Sequence, residues 1–177
     1  MTVQPAQLLL DHLYLLSEKP LPGPILDLAC GDGRNGIFLA EHHLPVICCD
    51  NSRAALDRAR KSAEEHEVTI TLWLVDLEQE GVNPLAEDSY GGVLVFHYLQ
   101  RPLIPCIKKA LKPGGILIYE TFTIEQPKFG KPHNPAFLLW PKELLEWFNS
   151  WEVLHYFDGI KEDPRRGVAQ IVCRKIL

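Results

Sequence analysis

Three glycines and two aspartates fall within twelve residues in ILDLACGDGRNG, positions 25–36, as an apolar run ends. A backbone stripped of side chains lets a ligand touch it. Gly31-x-Gly33-x-x-Gly36 at the start of a helix would also offer unpaired N–H groups to a nucleotide-like cofactor, although the spacing alone fits several. Asp50 lies nineteen residues beyond Gly31, where a carboxylate can accept hydrogen bonds from both hydroxyls of a ribose; capping the next helix is its alternative role. Asp27, four residues before Gly31, would oppose a pyrophosphate but could hold an ammonium group. Asp76 ends a later β-rich run, where it can meet the exocyclic amine of an adenine or merely close the strand. His97, Tyr98 and Glu120 stand near the carboxyl ends of two further runs, where open α/β sheets gather ligands, and are the candidates for a general base, His97 first. His133, in KPHNP, could reach an acceptor from a loop. The set describes a site for a nucleoside that carries positive charge.

The elements around these positions alternate between short β-rich runs and helical stretches, which implies a layered α/β fold. Leu9, Leu13 and Leu16 predict an amphipathic helix over residues 6–17, within an N-terminal segment (1–20) that would cover the cleft or a sheet edge. PILDLA, PVICCD, VTITLWLVD, GGVLVFHYL and GILIYETF read as five strands, with helices after the first, second and fourth. Residues 123–140, rich in proline with aromatic neighbours, read as a long ordered loop on the acceptor side. Tyr14, Phe129, Phe137 and Trp140 could form an aromatic lid, or close the core over the sheet. The last two runs, WEVLHYF and VAQIVCRK, are separated by too few residues for a parallel crossover, so they should pair antiparallel.

Bulk properties set limits. A chain of 177 residues suits one domain with a sizeable core, here expected over 1–177. The net charge of −5 argues against a life on nucleic acid. No apolar run approaches the roughly 18 residues of a membrane span. Cys30, Cys48, Cys49, Cys106 and Cys173 are odd in number and lack metal-ligand spacing, which predicts reduced thiols, no metal site and a cytoplasmic location. Arg101, Lys108, Lys109, Lys112, Lys128 and Lys131 make the middle locally basic; this could suit an anionic acceptor, or be a solvated helix face and loop.

LDLACGDGRNG, CCD, LVD and LKPGG, together with the terminal hairpin, resemble the motif series of class I S-adenosylmethionine-dependent methyltransferases over nearly the whole chain. The resemblance implies a Rossmann-like sandwich whose seven-stranded, mostly parallel sheet has the order 3-2-1-4-5-7-6 with strand 7 antiparallel. It implies that Asp27, Gly31 and Gly33 line the methionine end of the cofactor and that Asp50 holds its ribose. Asp76 and Leu77 would flank the adenine, with Ala29, Cys30 and Asn51 as neighbours and Phe96 and His97 beside the transferring methyl. The stretch NPAFLLWPKELLEWFNSWEVLHYFDG is similar to small tellurite-resistance-type methyltransferases and implies a small-molecule acceptor, a thiol, chalcogen oxyanion, nitrogen or oxygen nucleophile. Tyr14, Tyr98, His133 and Trp140 are its expected contacts, His97 and Glu120 the catalytic candidates, and the molecule a monomer or homodimer. The rival readings are an NAD(P)-dependent oxidoreductase or epimerase, and a non-catalytic cofactor-binding partner subunit.

Overall fold

Short runs of branched and apolar residues, cut by glycine and aspartate, assemble into one sheet because the central runs must bury both faces. The computed structural model describes residues 4–177. Helices α1 (Gln7–His12) and α2 (Tyr14–Ser17) precede β1 (Ile25–Leu28), α3 (Arg34–Glu41), β2 (Val46–Asp50), α4 (Arg53–Glu65) and β3 (Thr71–Leu74). Then follow β4 (Tyr90–Phe96), α5 (Ile104–Ala110), β5 (Leu111–Phe122), α6 (Glu143–Phe148), β6 (Glu152–Lys161) and β7 (Arg166–Arg174). The strands lie in the order β3-β2-β1-β4-β5-β7-β6, with β7 antiparallel to both neighbours, as the sequence predicts.

One apolar layer packs Leu8, Leu9, Leu39 and Val46 against Ile116 and Ile118 on one face of the sheet. The other packs Leu26, Val93 and Leu117 against Ile107, Leu144 and Phe148. Parallel strands covered on both faces leave their carboxyl ends as the open edge, and ligand-binding side chains collect there.

Of the boundaries that differ from expectation, two have a clear local cause. The N-terminal helix is broken at Leu13, whose N–H donates to the Leu10 carbonyl three residues back instead of four, so the chain tightens between α1 and α2. The fifth strand begins at Leu111 because that residue already pairs with Tyr90, ahead of the Gly114 turn. All five cysteines are unpaired thiols. No helix among the described residues is long and apolar enough to cross a membrane.

Candidate active site

The turn after β1 is built on a buried carboxylate. Asp27 is 2% exposed, and its Oδ2 accepts the Gly36 N–H at 3.0 Å, which ties the first turn of α3 to the strand. Gly36 makes that approach possible, since a Cβ there would collide with the Cys48 sulfur. Burial pushes the Asp27 carboxyl up to about 7, against the opposing pull of the Gly36 amide and Arg34. The side chain therefore lies beneath the turn and is not a wall of the crevice.

Gly31 has φ +55° and nothing within 4 Å of where a Cβ would stand, so its backbone borders open space. Asp50, at the tip of β2, faces the same space. Its Oδ2 accepts the Gly31 N–H and its Oδ1 the Ser52 N–H, each at 2.9 Å. Two acceptor positions remain, enough for a pair of hydroxyls. Helix α4 is capped by Ser52, whose hydroxyl accepts the Ala55 N–H at 3.2 Å, so Asp50 is not its cap. A crevice of about 200 Å³ opens here, walled by Ala29, Asp50, Asn51, Leu77, His97 and Tyr98 among others. Ala29 and His97, at the tips of β1 and β4, both hold positive φ, 53° and 54°. Non-glycine residues in that region cost roughly 1–3 kcal/mol and persist where surrounding structure enforces them.

Beyond His97 the crevice meets a larger cavity of about 700 Å³, with Glu78, His97 and Tyr98 shared between the two. Five residues of the 123–140 segment, Lys131, Pro132, His133, Asn134 and Phe137, form one wall. That segment is held closed at both ends. The Leu139 N–H donates to the Phe122 carbonyl at 2.9 Å and the Leu139 carbonyl accepts from Ile124 at 3.0 Å. Arg101 grips the far side, donating from Nε and Nη2 to Glu143 (2.6 and 2.9 Å) and from its two Nη atoms to the Ala136 and Leu138 carbonyls. Burial raises the Glu143 carboxyl, but Arg101 and the Trp140 amide outweigh it and hold it below its ordinary value.

A polar chain crosses four strands, and its Glu120 lines a further cavity of about 480 Å³ with His97, Arg34 and Arg166 and not either of those two spaces. His97 stacks on Phe122, ring centroids 4.8 Å apart, with Nε2 3.6 Å from Glu120 Oε1. At that length the contact is longer than a hydrogen bond, and it becomes an ion pair only when His97 carries a proton. Gln170 on β7 donates from Nε2 to Glu120 Oε2, and its Oε1 lies 3.0 Å from His155 Nε2 on β6. Burial raises the Glu120 carboxyl, yet His97, Gln170 and Arg166 together hold it below its ordinary value. It is a buried anion facing His97.

Several sequence-derived assignments need correction in place. Tyr14 lies at the other end of the sheet, lining a depression with Gly114 and Arg174, because the break at Leu13 and the pairing of β5 with β7 set it there. Phe96 points into the apolar layer under α1 instead of the crevice, as strand alternation requires of the neighbour of His97. Cys30 likewise turns beneath the glycine loop; its thiol is pushed up by its hydrogen bond to Cys48 and by burial. Asp76 lies beyond β3 and folds back to accept the Glu78 N–H at 2.9 Å, a local turn that leaves Glu78 on the crevice wall in its stead. Trp140 is 60% exposed and does not line the cavity. Tyr98 does, but its hydroxyl donates to Glu78 at 3.2 Å and burial, then Glu78, push it up, so it is no base near neutral pH. Glu78, Gln170 and Arg101 escaped the sequence reading as site residues, having no spacing signal.

The sequence profile of a methyltransferase domain matches residues 25–115, just over half the chain. The chain belongs to that family. It is 27% identical over 146 residues to a probable S-adenosyl-L-methionine-dependent methyltransferase, TehB, of Haemophilus influenzae, over 80% of this chain and 50% of that protein. A tRNA 5-carboxymethoxyuridine methyltransferase of Escherichia coli is 29% identical over 98 residues, 52% of this chain and 38% of its own length. The crystal structure of TehB from H. influenzae superposes with a TM-score of 0.76 at 22% identity, covering 94% of this chain and 61% of that one, a likeness of fold. The resemblance to class I S-adenosylmethionine-dependent methyltransferases of the tellurite-resistance type is thus borne out. The chain spans about half the length of the curated TehB relatives it matches.

Proposed function

We propose that the chain transfers a methyl group from S-adenosylmethionine to a small-molecule acceptor. The observation that carries this reading is the junction of two spaces at His97, a narrow crevice at Asp50, beside the open space over Gly31, and a wider cavity under the 123–140 segment. The crevice and the open space beside it offer partners to each part of the cofactor. Open space over Gly31 admits a ligand against the backbone, the two free acceptor positions of Asp50 suit the ribose hydroxyls, and the Asp27 carboxyl buried beneath the turn would favour an ammonium once ionised. Asn51 and Leu77 would border the nucleoside, with Glu78 taking the place expected of Asp76.

The cofactor supplies a methyl on a sulfonium, displaced in line by the acceptor's lone pair while the carbon–sulfur electron pair stays on sulfur. The protein's part is placement and proton removal. Holding the reacting atoms in line can contribute on the order of 7 to 11 kcal/mol. His97 stands where both spaces meet and would take the acceptor's proton, while Glu120, buried behind it, stabilises the cation so formed. Glu120 is then a positioning group acting through His97, not itself the base. His133, on the cavity wall, would contact the acceptor. The five unpaired thiols support a reducing, cytoplasmic setting.

Thermal denaturation with S-adenosylhomocysteine, NAD and NADP tests the reading. At 100 times its dissociation constant the first should add about 2.7 kcal/mol of stability. Stabilisation by the dinucleotides alone would support an oxidoreductase or epimerase instead. Cofactor binding with no methyl transfer to any acceptor in a broad panel would favour a non-catalytic partner subunit.

A further inference from the structure

We propose that the acceptor is a neutral, ring-bearing molecule whose nucleophilic atom carries a dissociable proton, an aryl hydroxyl or aryl thiol, and not an inorganic oxyanion. This rests on the methyl-transfer reading above and adds the acceptor's chemistry. Size is the first argument. Cavities of roughly 300–1,000 Å³ bury ligands of drug size, and a bare oxyanion would leave most of the space of about 700 Å³ to water.

Lining is the second. Leu99, Phe122, Pro132, Phe137 and the Tyr98 ring present carbon to the interior. An anion drawn in among them would lose water over that part of the wall, at roughly several kcal/mol for a charge left unpaired, and would have to seek its donors from Thr121, Lys131, His133 and Asn134 on the rest of it. Four cations of the basic middle segment are engaged elsewhere. Arg101 is held by Glu143, Lys109 pairs with Glu87 at 3.3 Å, Lys128 pairs with Glu125, and Lys108 donates to the Trp147 carbonyl at 2.7 Å. Lys131 is the one member of the basic middle segment on the cavity wall, and the Glu78 carboxylate shares that cavity.

The third argument is the polar end. His97, backed by the Glu120 anion, favours a reaction in which a proton is delivered to it, which an already deprotonated oxyanion does not need. With an aryl hydroxyl or thiol, the proton passes to the His97 ring as the oxygen or sulfur lone pair bonds to the methyl carbon, and the carbon–sulfur pair remains on the cofactor. Phe137, half exposed at the rim, would cover the ring's outer face.

The test uses the full chain with S-adenosylhomocysteine bound, titrated calorimetrically with 2-naphthol, naphthalene-2-thiol and sodium tellurite. The expected result is binding of both naphthalenes and none of tellurite, with at least fivefold weaker naphthalene binding in Phe137→Asp while S-adenosylhomocysteine affinity stays unchanged. Tellurite binding tighter than either naphthalene, or indifference of both naphthalenes to Phe137→Asp, would overturn the inference. With S-adenosylmethionine, methylation of the naphthol at oxygen or of the thiol at sulfur supports it and tells the two apart. Methyl incorporation into tRNA and into neither naphthalene overturns it. If the naphthalenes bind but S-adenosylhomocysteine does not, the methyl-transfer reading falls while the apolar site stands.

Discussion

Asp27 converts a buried contact into a dependence on pH that denaturation can read. Its carboxyl is pushed up to about 7 by burial beneath the glycine turn. An aspartate in the unfolded chain ionises near about 3.9. Between those values the folded protein keeps a proton that the unfolded chain has lost, so stability falls as pH rises and levels off above the folded value. From about pH 5 to about pH 7 this linkage removes roughly 2 kcal/mol. Asp27→Asn keeps an oxygen for the Gly36 N–H but carries no charge, and the variant should lack that slope. Urea denaturation of both proteins across this range gives the difference directly, because the remaining titrating groups are common to both. The variant's stability relative to wild type should climb by about 2 kcal/mol over the interval. With S-adenosylhomocysteine bound, its ammonium offsets the buried charge and the wild-type slope should flatten. Parallel pH profiles for the two proteins without ligand would refute the reasoning.

Four further substitutions probe other parts of the site. Gly31→Val places a branched side chain at φ +55° and into the open crevice, so it should cost roughly 1–3 kcal/mol of stability and abolish S-adenosylhomocysteine binding by calorimetry; retained affinity would contradict the placement. Asp50→Ala should weaken that binding by roughly 1–3 kcal/mol through loss of charged hydrogen bonds, and unchanged affinity would count against its ribose role. Gln170→Leu leaves the Glu120 anion without its donor and should cost about 1–3 kcal/mol near neutral pH. Because Glu120 sits below its ordinary value, stability it contributes is present at neutral pH and lost as pH falls, so the deficit of the variant should shrink in acid. Arg101→Met releases the wall formed by residues 136–138, so it should raise KM for the acceptor in steady-state assays while cofactor affinity stays constant.

The order of the sheet is legible because short β-rich runs alternate with helical stretches, and because the ten residues between WEVLHYF and VAQIVCRK are too few for a parallel crossover, a gap the structure narrows to four turn residues between Lys161 and Arg166. The glycine turn and Asp50 are legible for the same reason, since their roles follow from backbone geometry close by in sequence. What fails is direction. Asp76 can serve a ligand or its own backbone, and only the chain's exit from β3 decides that it bonds the Glu78 amide. Tyr14 has the right ring but the wrong end of the sheet, which depends on a helix break that no spacing signals. Gln170 and Arg101 act across 50 and 42 residues of sequence, on Glu120 and Glu143, through contacts that exist only once the sheet has formed. The basic middle segment left two readings open for a related reason, because the partners of Arg101, Lys108 and Lys109 are Glu143, the Trp147 carbonyl and Glu87, all distant in sequence.

A crystal structure of the chain grown with S-adenosylhomocysteine tests the central claim most directly. The account predicts the ligand in the crevice over Gly31, its ribose hydroxyls on the free acceptor positions of Asp50 and its sulfur turned toward His97. A ligand seated elsewhere on the sheet, or an Asp50 carboxylate that makes no contact with it, would contradict that account.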